Sequence, residues 1–243
     1  MIQVIPAGSH AGADFFCGTL RQLQPEWGIH PAVILNAGCG EGHEAVAIEQ
    51  QLGGRVEAVD VEDQVLPQFR DLEDVRFQIS SVCELPFADA HFDAVFYHHV
   101  IEHVDDVEGS LREIARVLKP GGWLFVGTPN RNRLLSSLGA HKQTHWEPTW
   151  QNKLSDNWHD WKARLAGRFH NKYGEHAGFT QAELTSLLSA DYQDLNWRTY
   201  EYLQFKYQSH RLAPMLPLAR QPLLCEIVPP SIYVFARRRG ESL

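Results

Sequence analysis

Cysteine is scarce in this chain: Cys17, Cys39, Cys83 and Cys225 are the four in 243 residues, and no two form a CxxC pair. That excludes a zinc ribbon and a disulfide framework. Basic residues are also few, 22 Lys+Arg against 30 Asp+Glu, and the net charge of −8 argues against non-specific nucleic-acid binding by the whole surface. No Lys or Arg precedes Arg21, so a secretory leader is not expected. No uninterrupted apolar run reaches the ~18 residues of a membrane span. No membrane partner is therefore expected, and the default location is the cytoplasm. Internal repeats and low-complexity tracts are absent. What remains is an ordinary globular composition, 44% apolar and 21% charged. A chain of this length buries roughly 70–75% of its unfolded surface without covalent or metal staples. One domain over residues 1–243 is expected.

Short apolar runs alternate with amphipathic stretches. Ala32 to Ala37, Val56 to Val59, Val75 to Ile79, Ala94 to Tyr97 and Trp123 to Val126 read as buried strands. Val107, Leu111, Ile114, Ala115 and Leu118 recur at spacings of three and four, and Lys119-Pro120-Gly121-Gly122 stops that helix. Thr180 and Glu183 form a capping box ahead of Leu184, Leu187 and Leu188. Asp191 to Tyr202 and Ser231 to Arg237 read as further strands, and the proline-rich stretch from His210 to Pro230 as an irregular connection. Strands alternating with helices imply an α/β fold with a doubly wound, mostly parallel sheet.

The first strand runs into Asn36-Ala37-Gly38-Cys39-Gly40-Glu41-Gly42, which opens a helix. Glycines there allow a tight turn and close approach of a ligand to main-chain N–H groups. Asp60 ends the next strand, 22 positions after Gly38, where a carboxylate can accept both hydroxyls of a ribose. A dinucleotide fold wants G-x-G-x-x-G, but position 43 is His and the pattern is G-x-G-x-G, so NAD is not expected.

The runs VILNAGCGEG, AVDVED, LPFADAHFDAVFYHHVIEHV and LREIARVLKPGGWLFVGTPN resemble the class I S-adenosylmethionine-dependent methyltransferases. They are most similar to the small-molecule group with an LPF/FD/LEHV/LKPGG pattern. The resemblance covers about positions 32 to 130. It implies a Rossmann-like methyltransferase fold of seven strands, the last antiparallel, with S-adenosylmethionine as cofactor. Gly38, Cys39 and Gly40 would line its methionine part, with Asn36 and His43 beside them. Asp60 would hold the ribose, Val61 would flank the adenine, and Ser81 and Val82 would meet the adenine edge. Tyr97 and His98 would face the transferable methyl. Two departures from the family stand out: Asn36 replaces the usual Asp before the triplet, and Ser81 replaces the adenine-side Asp.

His98, His99, Glu102 and His103 lie within six positions. If a helix begins near His99, then His99, Glu102 and His103 share one face. That pattern resembles the E-V-I-E-H metal motif of some methyltransferases, to be completed by His141 or His145. Its leading carboxylate is missing, however, and no metal is expected. His98 or His99 is instead the candidate general base.

The segment 131–174 differs from its host. Up to Lys172 it holds eight basic and three acidic residues, a net +5, while the remainder holds 14 basic and 27 acidic, a net −13. It also carries Trp146, Trp150, Trp158 and Trp161. Emerging after the fifth strand, it reads as an inserted lid or substrate-binding segment, with Arg164 and Arg168 available to an anionic acceptor. The expected function is methyl transfer to a small-molecule acceptor, anionic or planar; nucleic acid is not expected as a partner, and the oligomeric state is left open. Two alternatives stand beside it: RNA or protein methylation through the basic insertion, or a non-catalytic cofactor-binding relative.

Overall fold

A computed structural model describes residues 10–25, 32–135, 150–171, 177–208 and 213–240. In chain order the elements are α1 (Ala11–Leu23), β1 (Val33–Ala37), α2 (His43–Leu52), β2 (Arg55–Asp60), β3 (Val75–Ile79), β4 (Phe92–His98), α3 (Val107–Val117), β5 (Leu118–Pro129), α4 (Trp150–Leu165), α5 (Gln181–Leu188), β6 (Tyr192–Trp197), α6 (Thr199–Tyr207), α7 (Pro222–Ile227) and β7 (Ser231–Arg238). The sheet has seven strands in the order β3-β2-β1-β4-β5-β7-β6. The pairs β1–β2, β2–β3, β1–β4 and β4–β5 are parallel, while β7 runs antiparallel to both β5 and β6. The expected architecture, including the antiparallel last strand, is the one found.

Period-two alternation sorts the strand residues between two cores. On one face Ile34, Val56, Ala94, Phe96 and Phe125 pack with Phe16 of α1 and Ile48 of α2. On the other, Leu35, Val95, Tyr97 and Leu124 pack with Leu111 and Ile114 of α3 and Leu184 and Leu188 of α5. Asp106 caps α3, accepting from the Gly109 N–H at 2.8 Å. At α5 both hydrogen bonds of the Thr180–Glu183 capping box are present.

Several elements depart from the sequence reading, among them β5, which begins at Leu118 rather than Trp123, and α4, which was not expected as a helix. Asp191 to Tyr202 is not one strand: β6 ends at Trp197 after an irregularity between Gln193 and Asn196, and α6 follows. Tyr202, Leu203 and Tyr207 share the buried face of that helix, so tertiary packing decides its form over the β propensity of its aromatics. The proline-rich connection contains a 3₁₀ segment, Ala213–Arg220, and then α7, whose Pro222 sits in the first turn, where a missing N–H costs nothing. Helix α1 has no counterpart in the sequence reading, because Gly12 and Gly18 weaken its helical signal.

Segment 131–174 is described at residues 131–135 and 150–171; His141, His145 and Trp146 lie outside the described residues. Within the described part, Arg131 donates to the Gly178 carbonyl and to Glu183, and Arg164 donates to the carbonyls of Arg131 (2.7 Å) and Arg133 (2.9 Å). Arg164 also stacks over Phe169, 3.9 Å from the ring centroid. The expectation that Arg164 is available to an acceptor is thus corrected: its guanidinium holds α4 to the end of β5.

Candidate functional site

Register brings the candidate residues together. Ala37, the last residue of β1, pairs with Val59 on one side and Tyr97 on the other. Asp60 and His98 are therefore the next residues outward on either side of the glycine turn, at the carboxyl edge where open α/β sheets bind ligands.

The turn is held by its own amides. Gly38 and Cys39 both donate to the Val59 carbonyl, at 2.8 and 3.0 Å. Gly40 donates to Asp60 Oδ2 at 2.8 Å, and the Glu62 N–H approaches Oδ1 at 3.3 Å. These three amides are spent inside the protein rather than presented to a ligand, which corrects the simple reading of the triplet. The glycines are needed for closeness instead. Gly38 has φ +80°, and a Cβ there would lie 2.2 Å from Val100 Cγ2. At Gly40 a Cβ would meet nothing within 4 Å, so the turn opens onto free space there.

A cleft of about 310 Å³ adjoins this point, lined by Cys39, Asp60, Arg70, Phe77 and Ile79 among others. Val61 and Ile79 are each 67% exposed, leaving apolar surface on either side of Asp60. Ser81 is exposed and its Oγ accepts from the Cys83 N–H at 3.1 Å. Val82 is buried in the core. The Cys39 thiol is pushed up to about 12 by burial and by the Asp60 carboxylate, so it stays protonated and is no nucleophile.

Tyr97 does not face the site. Its side chain is fully buried beneath the sheet and its hydroxyl lies 3.3 Å from Ser110 Oγ. Strand alternation turns His98 to the opposite face, against α1 and α2. There Nδ1 of His98 is 3.1 Å from Glu44 Oε1, and Gly12 is glycine because a Cβ would fall 2.5 Å from His98 Cε1. Glu44 and Gly12 were not singled out in the sequence, where Glu44 reads only as an acidic residue in a first helical turn. His43 stacks on His10 with centroids 5.1 Å apart.

His99 and Glu102 meet, though not on an α-helix: Ile101–His103 is a 3₁₀ turn. His99 sits at φ +55°, a left-handed conformation that non-glycine residues adopt sparingly. Its Nδ1 is 3.2 Å from Glu102 Oε1, and Thr128 Oγ1 donates to Glu102 Oε2 at 3.0 Å. Among the described residues no three His, Cys, Asp or Glu side chains are grouped so as to hold a metal ion.

Four buried polar atoms at this edge have no hydrogen-bond partner among the described residues: both side-chain atoms of Asn36, Nδ1 of His43 and Nε2 of His98. Buried polar atoms are rarely left unpaired, so they suit a polar ligand that completes them. That donor set and the open space at Gly40 fit a zwitterionic amino-acid moiety, and Asp60 beside the cleft fits a ribose.

Electrostatics here predict acid sensitivity. Burial pushes the His10 and His99 imidazoles below their ordinary value, the neighbouring His43 and His98 adding to the effect. Burial alone would raise Glu44 and Glu102, but the facing imidazoles outweigh it and leave both carboxyls below their usual range. A depressed imidazole contributes stability above its unfolded value of ~6.5 and loses it as pH falls below that; a depressed carboxyl contributes stability above ~4.3 and loses it below. The urea unfolding midpoint should therefore stay level from pH 7.5 to about 6.5 and fall from there to pH 4. A flat profile over that window would mean that these groups titrate as in the unfolded chain.

A family model described as a methyltransferase domain matches residues 35–126. A "Probable S-adenosylmethionine-dependent methyltransferase" of Mycobacterium tuberculosis is 40% identical over 99 residues, covering 40% of this chain and 36% of that protein. A ubiquinone biosynthesis O-methyltransferase of Methylocella silvestris is 32% identical over 149 residues, covering 56% and 53%. The chain thus spans about a third to a half of the length of the curated relatives it matches. Among solved structures, the Burkholderia thailandensis 1,6-didemethyltoxoflavin-N1-methyltransferase, bound to 1,6-didemethyltoxoflavin and S-adenosylhomocysteine, aligns with TM-score 0.51 at 19% identity over 95% of this chain and 79% of that one. MccD protein aligns with TM-score 0.55 at 12% identity over 94% and 98%. At such identities these two likenesses speak for the fold alone. Residues 35–126 are thus similar to the methyltransferase domain family, over the stretch in which the sheet order brings the glycine turn and Asp60 to one edge.

Proposed function

We propose that this chain is a methyltransferase that transfers the methyl of S-adenosylmethionine to a small-molecule acceptor. The observation that carries the reading is the convergence of the glycine turn, Asp60 and the unpartnered atoms of Asn36 and His98 on one edge of the sheet. In it, Asp60 holds the ribose hydroxyls, Val61 and Ile79 flank the adenine, and the Ser81–Val82 turn borders its edge. Asn36, His43 and the opening at Gly40 receive the methionine part. When bound, the cofactor supplies a methyl on a sulfonium centre whose leaving group is a neutral thioether. The protein's task is chiefly to hold the acceptor in line at near-attack distance. His98 and His99, at the end of β4, stand where that acceptor would lie. The segment that follows β5 leaves the sheet at the same edge and is, in this reading, the lid.

A small molecule is favoured over RNA because the basic segment spends much of its charge internally. Arg131, Arg133 and Arg164 are bound to carbonyls and carboxylates, and Lys162 lies over Trp158 with Nζ 5.5 Å from its centroid. The ubiquinone biosynthesis O-methyltransferase among the relatives points the same way. Calorimetry of the full chain is the direct test. S-adenosylhomocysteine should bind with micromolar affinity and NAD should give no heat; the reverse order would overturn the reading.

A further inference from the structure

We infer that His99 is the general base of the transfer, held by Glu102 and Thr128 as positioning residues, and that the acceptor atom is a hydroxyl oxygen. This rests on the methyltransferase reading above and adds the choice of base and the acceptor chemistry.

The geometry distinguishes His99 from His98. His98 is 11% exposed, wedged between Gly12 and Gly127, with its Nε2 shut away from solvent. The His99 side chain is 39% exposed, while that of its partner Glu102 is 2% exposed. An ionised carboxylate only accepts, so the His99 Nδ1–Glu102 contact requires the proton on Nδ1. Thr128 Oγ1 donates to the other Glu102 oxygen, which fixes the carboxylate from β5. Nε2 of His99 is then the unprotonated nitrogen, and among the described residues nothing bonds it. The strained φ of +55° turns the ring out of the strand, while the backbone N–H stays tied to the Gly127 carbonyl at 2.8 Å.

Position agrees with the role. His99 is one residue before Val100, the side chain that meets Gly38 of the glycine turn. Through Glu102 and Thr128 it also reaches β5, whose end leads into the segment 131–135 and Arg133. It therefore sits between the glycine turn and the end of β5. The titratable and charged groups around it are Glu102 from the 3₁₀ turn, His98 from β4, Glu44 from α2 behind His98, and Arg133, whose charge reaches Glu102. Burial and His98 hold the imidazole below its ordinary value while Glu102 opposes them, which favours the neutral ring.

A positioned imidazole is useful when the acceptor must lose a proton as it attacks. In the balanced step, the acceptor oxygen forms its bond to the methyl carbon while the carbon–sulfur bond breaks and leaves its electron pair on sulfur. His99 Nε2 takes the hydroxyl proton and passes it to solvent. A carboxylate acceptor is already ionised at neutral pH and gives such a base nothing to do.

The test reads the imidazole directly by ¹⁵N NMR of the full chain, histidine-labelled and saturated with S-adenosylhomocysteine, with His99→Gln assigning the signal. The expected result is a neutral ring protonated on Nδ1 at pH 7.5, with Glu102→Gln shifting the tautomer toward Nε2–H and lowering the ring pKa. Thr128→Val should change both in the same direction but less, and serves if Glu102→Gln fails to fold. A wild-type ring protonated on Nε2 or on both nitrogens, or a tautomer indifferent to both variants, would overturn the inference. In parallel, transfer of a radiolabelled methyl is measured to catechol, aniline and benzoate. Catechol should be methylated, with Glu102→Gln lowering kcat roughly 100-fold and moving the acid limb of the pH profile while KM changes less than threefold. Preferential methylation of aniline or benzoate would sink the hydroxyl assignment, and if none reacts the tautomer result alone decides. Loss of S-adenosylhomocysteine binding in the wild type is a separate outcome that strikes the methyltransferase reading itself.

Discussion

Replacing Asp60 with alanine is expected to weaken S-adenosylhomocysteine binding by roughly 100-fold, the scale of two charge-assisted hydrogen bonds to a diol. The carboxylate has two tasks. It stands at the mouth of the cleft, and its Oδ2 accepts the Gly40 N–H at 2.8 Å. Alanine removes the carboxylate proposed to hold the ribose and also frees an amide that fixes the glycine turn against β2. Asparagine keeps an acceptor for Gly40 but loses the charge, so it should fall between wild type and alanine. Asp63 is the natural control. It lines the same cleft, but its carboxylate pairs with Arg70 at the surface, where an ion pair contributes little. Asp63→Ala should cost less than threefold by calorimetry. Equal losses for the two aspartates would mean that the cleft attracts the ligand by charge alone and that Asp60 has no special contact.

Asp60 was legible in the sequence because the strand, glycine turn, helix and second strand are contiguous, and a parallel crossover fixes where the second strand ends relative to the first. Residues that meet only through packing were not. Glu44 reads as an ordinary first-turn acid until α2 sets it 3.1 Å from His98. Thr128 is one more buried strand residue until β4 and β5 pair and place it on Glu102. Gly12 looks like a helix breaker, and its reason, the room required by His98, lies in another element. The assignment of Tyr97 to the site failed for a simpler cause that alternation already encodes. Phe96 and His98 differ in parity from Val95 and Tyr97, so only one of the two neighbouring side chains can face α1 and α2. Composition alone misjudged the basic segment. Its positive charge was counted as free, whereas the folded chain turns three of its arginines inward to tie α4 and the loop beyond β5 to the sheet.

Arg133→Met should destabilise the chain by about 3 kcal/mol, the lower end of the range for breaking a buried ion pair from one side. Arg133 is only 5% exposed. Its Nη1 donates to the carbonyls of Asn130 and Ala177, both at 3.1 Å, and its Nη2 to Asp160 Oδ2 at 2.8 Å. Its ring-facing side lies over Phe169, 5.0 Å from the centroid. Methionine fills the stem volume but leaves two carbonyls and a carboxylate without this donor. For a chain of this size the thermal midpoint should fall by roughly 6–12 °C. Asp160→Asn should cost less, since an amide oxygen still accepts from the guanidinium. In the double variant the cost should be smaller than the sum of the two, because the stranded Asp160 charge is then gone. A loss below 1 kcal/mol for Arg133→Met would mean that α4 is held by Arg164 alone. Cofactor affinity should survive the substitution, since Asp60 and the glycine turn belong to β1 and β2 and share no hydrogen bond with Arg133. If S-adenosylhomocysteine binding fell in step with stability, the strut after β5 and the cofactor edge would be one cooperative unit, and closing the segment over an acceptor would tighten the cofactor as well.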